Sequence, residues 1–320
     1  MMKRFGVLTS GADAPGMNAA IRAVVRSGIY YGVDMLGIQY GFQGLIDGKI
    51  EKMDAASVGS IMQRGGTILQ SSPSDVVFSE EGKAKALQMI KQHGIDSLIV
   101  IGGKESLQAA AVLEEAGLPT AAIPATIDSD IPGVYEVIGF DTALNTVMDY
   151  IDRIRDTASS HEKSSIIEVM GRDTGSLALW SGLAGGAENI LIPEKKEDLD
   201  SIVEQIKQGP SRSKRYSIVV VAEGTVSGID LNERLKQEAG IESRVTVLGH
   251  TQRGGAPTAA DRILASRLGA YAVDLLIKDQ SGVIVTIKDN QPEALTYGSV
   301  HAKTVQVDED VYNLSSRLSI

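Results

Sequence analysis

Four glycine-bearing turns, each placed directly after a short β-branched run, constrain this chain more than any other feature. "TSGADAPGMN" follows the run Phe5–Thr9, "IGGKES" follows Ser97–Ile101, "PATIDSDIPG" follows Thr120–Ile123, and "EVMGRDTG" closes Ser165–Val169. Between these runs lie longer patterns with apolar residues three and four apart, as in Met17–Tyr31, Thr142–Ala158 and Ala259–Lys278, which predict helices. Ser217–Val221, Val245–Leu248 and Val283–Lys288 add further strands. Strand and helix alternating in this way predict an α/β protein, with parallel sheets covered by helices on both faces. In such sheets ligands gather outside the carboxyl ends of the strands, so the four turns could line one crevice. Glycines that merely permit tight strand–helix turns are the competing explanation for any one of them.

Composition narrows the function classes. The 320 residues, 43% hydrophobic and 22% charged, suit one large or two moderate cores. A formal charge of −10 argues against nonspecific nucleic-acid binding, which needs net cationic surface. There is no apolar run of membrane-spanning length and no signal-peptide-like start, so a cytoplasmic protein without membrane partners is expected. The absence of cysteine removes disulfides, thiolate metal sites and cysteine nucleophiles.

Several polar groups sit where chemistry would need them. Asp128 and Asp130 bracket one residue in "TIDSDIPG", a pairing that suits a general base plus a Mg²⁺ ligand in phosphoryl transfer; solvated turn aspartates are the alternative. Arg172 in "MGRDTG" could clamp a phosphate, or form a surface ion pair. Arg244, His250 and Arg253 form a basic trio around "RVTVLGHTQRGG", suited to a sugar-phosphate oxyanion. Arg22 and Arg26, four apart on one helix face, offer either an anion site or a solvated face. The spacing Gly11–Gly16 imitates a P-loop, but Met17-Asn18 stands where that loop needs lysine and a hydroxyl residue.

Taken together, "GVLTSGADAPGMNAAIR", "RGGTIL", "TIDSDIPG", "IGFDTALNTV", "EVMGR", "LWSGLAGGAENILIPE", "VAEG", "RVTVLGHTQRGGAPTA" and "DRILASRLGA" resemble, in order from residue 5 to about 290, the bacterial ATP-dependent 6-phosphofructokinase family. The resemblance implies two α/β domains, a larger nucleotide-side one of residues 1–138 plus 251–303 and a smaller sugar-side one of residues 139–250 plus 304–320. It also implies a tetramer, transfer of the ATP γ-phosphoryl group to O1 of fructose 6-phosphate with Mg²⁺, and an effector site at a subunit interface. Asp128 matches the catalytic base, Thr126 and Arg172 the groups at the transferring phosphoryl, and Asp130 a metal ligand. Met170, Glu223, His250 and Arg253 match the fructose 6-phosphate pocket. Arg244 matches an arginine reaching the 6-phosphate from a neighbouring subunit, and Lys163 stands where the pattern has its partner arginine. Arg22, Arg26, Arg155, Arg212 and Lys214 match the cationic effector residues for ADP or another phosphometabolite, with Glu188 as the metal-side carboxylate; an aspartate usual nearby is Ser60.

The donor side departs from the pattern. In "GGDGS" the Mg²⁺-partner aspartate is Lys104 and the small phosphate-facing glycine is Glu105, between Gly103 and Ser106. Ala12 replaces a glycine, Phe42 a tyrosine of the ribose and adenine region, and Pro73-Ser74 an Arg-Cys pair whose arginine bridges both substrates. Ser129 replaces an asparagine between the two aspartates. A pyrophosphate-dependent relative is not supported, because such enzymes keep the "GGDGS" aspartate and place lysine at the position of Ala125. A carboxylate ~4 Å from one phosphate charge costs roughly 4 kcal/mol at an effective dielectric of 20. These terms fall on ATP and not on the sugar, which makes Mg²⁺ use uncertain. The sequence therefore predicts an eroded donor site. The leading expectation is a regulatory or weakly active subunit that binds fructose 6-phosphate and pairs with a catalytic homologue. An active ATP-dependent enzyme with an unusual donor site is the alternative, and a non-enzymatic metabolite-binding module a third.

Overall fold

The computed structural model describes residues 3–195, 199–208, 216–301 and 307–318. In chain order the strands are β1 (Arg4–Ser10), β2 (Asp34–Ile38), β3 (Ile50–Met53), β4 (Ser97–Gly102), β5 (Thr120–Pro124), β6 (Ser165–Val169), β7 (Asn189–Leu191), β8 (Ile218–Ala222), β9 (Arg244–Val247), β10 (Val283–Lys288) and β11 (Gln291–Thr296). The helices are α1 (Met17–Tyr30), α2 (Gly41–Ile46), α3 (Glu80–His93), α4 (Lys104–Glu115), α5 (Phe140–His161), α6 (Ser176–Ala184), α7 (Leu199–Gln208), α8 (Gly228–Ala239), α9 (Ala259–Ile277), α10 (Tyr297–His301) and α11 (Glu309–Leu318). They form two compact units: one of Met1–Ile127, Ile131–Thr142 and Arg253–Thr304, the other of Asp128–Asp130, Ala143–Gln252 and Val305–Ile320. The sequence expectation assigned Asp128–Asp130 to the larger domain; here they group with the smaller unit, where the Thr174 hydroxyl donates to the Asp128 carbonyl at 2.7 Å.

The larger unit is built on a seven-stranded sheet in the order β11-β10-β5-β4-β1-β2-β3. Successive residues of a strand face opposite sides, and β4 uses both. Leu98 and Val100 join a core with Leu8, Ala122 and residues of α2, α3 and α4. Ile99 and Ile101, equally buried, face the other layer, where α1 and α9 pack on each other and on the sheet. Each such fully buried side chain contributes about 1.5–3 kcal/mol. The α1–α9 contact is close enough to demand glycine: a Cβ on Gly269 would lie 2.7 Å from the Ala23 Cβ.

The smaller unit has a four-stranded parallel sheet, β7-β8-β6-β9. Ile166, Val219 and Val221 pack there with Ile202, Val203, Leu231 and Leu235 from α7 and α8. α6 packs on β7, β8 and α11.

The α/β class and the helix-covered sheets are as the sequence predicts. The edges differ. β2–β3 and β10–β11 pair antiparallel, and β2, β3, β7 and β11 are strands beyond those the sequence predicts. Exposed or half-buried residues such as Glu51, Lys52, Glu293 and Pro292 break the apolar run that marks a central strand.

Candidate functional site

Parallel register brings the turns of the larger unit together. Ser10 pairs with Gly102, and Gly102 with Pro124, so β1, β4 and β5 end at one level. Strand order reverses between β1 and β4, which makes this the crevice where α/β sheets take ligands. The floor is a chain of hydroxyls. Ser10 Oγ donates to the Ser72 carbonyl at 3.1 Å and shares a hydrogen bond with Ser74 Oγ at 2.9 Å, which in turn shares one with Ser106 Oγ at 3.3 Å. All three hydroxyl residues are buried, and the Gly11 N–H donates to the same Ser72 carbonyl at 2.9 Å. Gly103 follows β4, and a Cβ there would stand 3.7 Å from the Thr126 Cβ.

Around that floor the side chains divide into two groups. Ala12, Pro73, Lys104 and Glu105 are exposed, so these four departures from the family pattern face solvent, whereas Phe42 and Ser74 are buried. Ser74 and Ser106 are satisfied by one another. Phe42, placed by resemblance in the nucleotide region, is fully buried with Leu8, Ile38 and Leu45. Without a hydroxyl to hold at the surface, its ring belongs to the core.

In the smaller unit Val169 pairs with Ala222, so Met170-Gly171-Arg172 and Glu223-Gly224 leave the sheet side by side. Backbone bonds lock the two turns: Glu223 N–H to the Val169 carbonyl at 2.9 Å, and Gly224 N–H to the Gly171 carbonyl at 3.0 Å. A Cβ on Gly224 would lie 1.9 Å from the Arg172 carbonyl oxygen, so only glycine lets these strands end so closely. Arg172 and Glu223 are exposed, Met170 is buried. His250 and Arg253 share one 3₁₀ turn, Gly249–Arg253, in which the Arg253 Nε is buried without a protein partner. Asp128 and Asp130 are half-buried on either side of Ser129, whose φ of 50° is left-handed.

The basic trio does not converge. Arg244 begins β9 opposite Ser165, and its N–H donates to the Ser164 carbonyl, next to Lys163, which pairs with Glu242 at 3.4 Å. Both lie at the amino end of the sheet, whereas Met170, Arg172, Glu223 and His250 follow the carboxyl ends. The length of β6 separates them, ~13 Å at 3.3 Å per residue. Within one chain, Arg244 and His250 cannot clamp one phosphate.

Of the effector candidates, Arg22 is half-buried and Arg26 exposed on α1, neither in an ion pair among the described residues. Arg155 donates to the Gly185 and Gly186 carbonyls, capping the carboxyl end of α6. Glu188 accepts the Ile218 N–H at 2.7 Å. Ser60 is exposed with a left-handed φ of 53°. Arg212 and Lys214 lie outside the described residues.

Residues 4–276 match the family model described as Phosphofructokinase. This chain belongs to the phosphofructokinase family. It is 54% identical over 319 residues to the ATP-dependent 6-phosphofructokinases of Natranaerobius thermophilus and Oceanobacillus iheyensis, covering 100% of both chains in each comparison. Phosphofructokinase from Pichia pastoris superposes with a TM-score of 0.89 at 30% identity, over 99% of this chain and 36% of that one. This chain thus spans about a third of the yeast polypeptide.

Two further buried polar residues each brace a turn within their own unit. Gln252, fully buried within "GHTQRGG", anchors Met170. Asp261 accepts the N–H groups of Gly139 and Thr142, both at 2.8 Å, and the Thr142 hydroxyl, fixing the start of α5. Burial raises its pKa, against those hydrogen bonds, which lower it. A polar residue at a helix-facing position of "DRILASRLGA" was the available signal.

Proposed function

We propose that this protein is an ATP-dependent 6-phosphofructokinase that phosphorylates the 1-hydroxyl of fructose 6-phosphate, with a rebuilt donor side. The observation that carries this reading is the acceptor side: Thr126, Asp128, Met170, Arg172, Glu223, His250 and Arg253 all persist in the family's motifs. Full-length identity of 54% to enzymes of that name supports the same conclusion, and favours it over the regulatory subunit that the donor substitutions suggest.

In this reading Asp128 accepts the proton of the sugar hydroxyl as the phosphoryl group arrives. A carboxylate is a competent base when it lies within hydrogen-bond reach of that proton. Thr126 and Arg172 offset charge on the transferring group. Met170, Glu223, His250 and Arg253 orient the sugar. Arg244 and Lys163 serve the 6-phosphate of a neighbouring copy, which accounts for their position at the far end of the sheet. That requires an oligomer, a tetramer in the family pattern. Arg22, Arg26, Arg155, Arg212, Lys214 and Glu188 would take ADP or another phosphometabolite as effector.

The residues present fit Mg²⁺ in one mode. Asp128 and Asp130 are hard oxygen donors, but among the described residues no three acidic or histidine side chains converge on a cage. Asp130 would therefore hold the ion together with phosphate oxygens, as Mg²⁺ commonly binds. When bound, the ion neutralises phosphate charge.

A second reading has its own observation. Pro73 carries no cation and Glu105 adds an acid on the donor side, so the chain could instead be a regulatory partner of a catalytic homologue. A coupled assay of the purified chain, alone and mixed with such a homologue, separates the two. Turnover by the chain alone, abolished by Asp128→Ser, supports the enzyme. No turnover alone, with altered kinetics of the homologue in a mixed oligomer, overturns it.

A further inference from the structure

A cavity of about 380 Å³ lies beside α4, within the size range of small-molecule pockets. Leu107 and Ala111 line it from the helix, together with Phe78, Ile131 and Pro132. Lys104, one turn before Leu107 and 108, lines the same cavity; Glu105, rotated about 100° around the helix, does not. Lys104 is exposed and forms no ion pair among the described residues, not even with Glu105. The lining is mixed: apolar along its middle, with Gln108 and with Glu115 at the far end of α4, eleven residues from Lys104. The Lys104 end, with an ammonium and apolar side chains beside it, is complementary to a flat apolar body carrying an anionic group. Residue 104 also follows Gly102-Gly103 directly, just beyond the level where Ser10 ends β1.

We propose that Lys104 binds the phosphate chain of the nucleotide donor directly, with the nucleoside in the α4 groove. Its ammonium thereby supplies charge neutralisation that elsewhere in the family depends on an acid and its divalent ion. The inference rests on the donor reading above and sharpens it: nucleotide binding in this chain depends less on a divalent cation than an aspartate at position 104 would require. A lysine meets phosphate as a compact point charge, so its contribution needs no bidentate geometry.

The test is calorimetric, on the full chain carrying Arg22→Ala and Arg26→Ala so that the effector candidates do not compete. ATP is titrated in EDTA and then in excess Mg²⁺, and adenosine serves as the uncharged probe. We expect ATP to bind in EDTA, Lys104→Met to weaken it at least tenfold, and Lys104→Arg to retain it within about threefold. Adenosine should be insensitive to Lys104→Met but weakened by Ala111→Trp, which fills the groove. Circular dichroism confirms that each variant is folded. Unchanged ATP affinity in Lys104→Met, equal loss of ATP and adenosine in that variant, or no ATP binding by the parent chain overturns the proposal. If the binding pattern holds while fructose 6-phosphate is never phosphorylated, the Lys104 assignment stands and the kinase reading falls.

Discussion

Gln252 ties the turn after β6 to the turn that carries His250: its Oε1 accepts the Met170 N–H at 3.2 Å, and its Nε2 donates to the Gly249 carbonyl at 2.8 Å. With the side chain fully buried, no water can replace either bond. Gln252→Leu strands a buried N–H, a cost of about 1–3 kcal/mol. We expect lower thermal stability and a raised KM for fructose 6-phosphate, with the KM for ATP unchanged. An equal rise in both KM values would refute a role confined to the sugar side.

Asp261 should give a pH dependence opposite to that of a surface carboxylate. Its folded pKa is raised, chiefly by burial, so the folded state keeps the proton longer than the unfolded state. The contribution to stability therefore falls as pH rises from the ordinary carboxylate range through the raised value. Asp34, held low by its hydrogen bond to Lys52, works in the other direction, losing its contribution as pH falls. Melting temperatures of the parent and of Asp261→Asn across pH 3–8 read the difference: the gap between the two curves should change over that window. Parallel curves would remove Asp261 as the source.

Ser129 sits between the two aspartates in a left-handed conformation, with φ of 50°. Left-handed backbone costs a residue with a Cβ roughly 1–2 kcal/mol, and asparagine tolerates it better than serine. Ser129→Asn should recover part of that cost, seen as a higher midpoint of urea denaturation. Destabilisation would mean that the serine side chain makes a compensating contact.

Separate chains should complement one another if Arg244 serves a neighbour's site. Asp128→Ser and Arg244→Ala are each expected to lose at least about tenfold in activity. Co-purified mixed oligomers should regain part of it, because one site in the mixture joins an intact base to an intact arginine. No recovery, in oligomers shown by native mass spectrometry to be mixed, would assign Arg244 to its own chain or to structure alone.

Much of this was legible in the sequence. The apolar runs at β1, β4, β5, β6 and β10 and the 3.6-residue periodicity of α1, α5 and α9 identify themselves, because residues buried on every side leave an unbroken signal. So do the motifs Gly11–Asn18, Gly102–Ser106, Thr126–Asp130 and Met170–Arg172, since each is contiguous and follows a recognisable strand. The edge strands are invisible for the converse reason: β3 and β11 bury only part of their surface, and their pattern is mixed.

Tertiary structure alone decided the rest. Phe42 reads as a site residue by position, yet packing closes it into the core beside Leu8 and Leu45. Arg155 reads as an effector cation by resemblance, and only the fold shows that its guanidinium also caps the carbonyls at the end of α6. Arg244 and His250 stand six positions apart, yet an extended strand carries them to opposite ends of one sheet. Sequence spacing records how far apart two residues are along the chain. Which of them share a volume depends on strand direction, register and burial, and those are properties of the packed sheet.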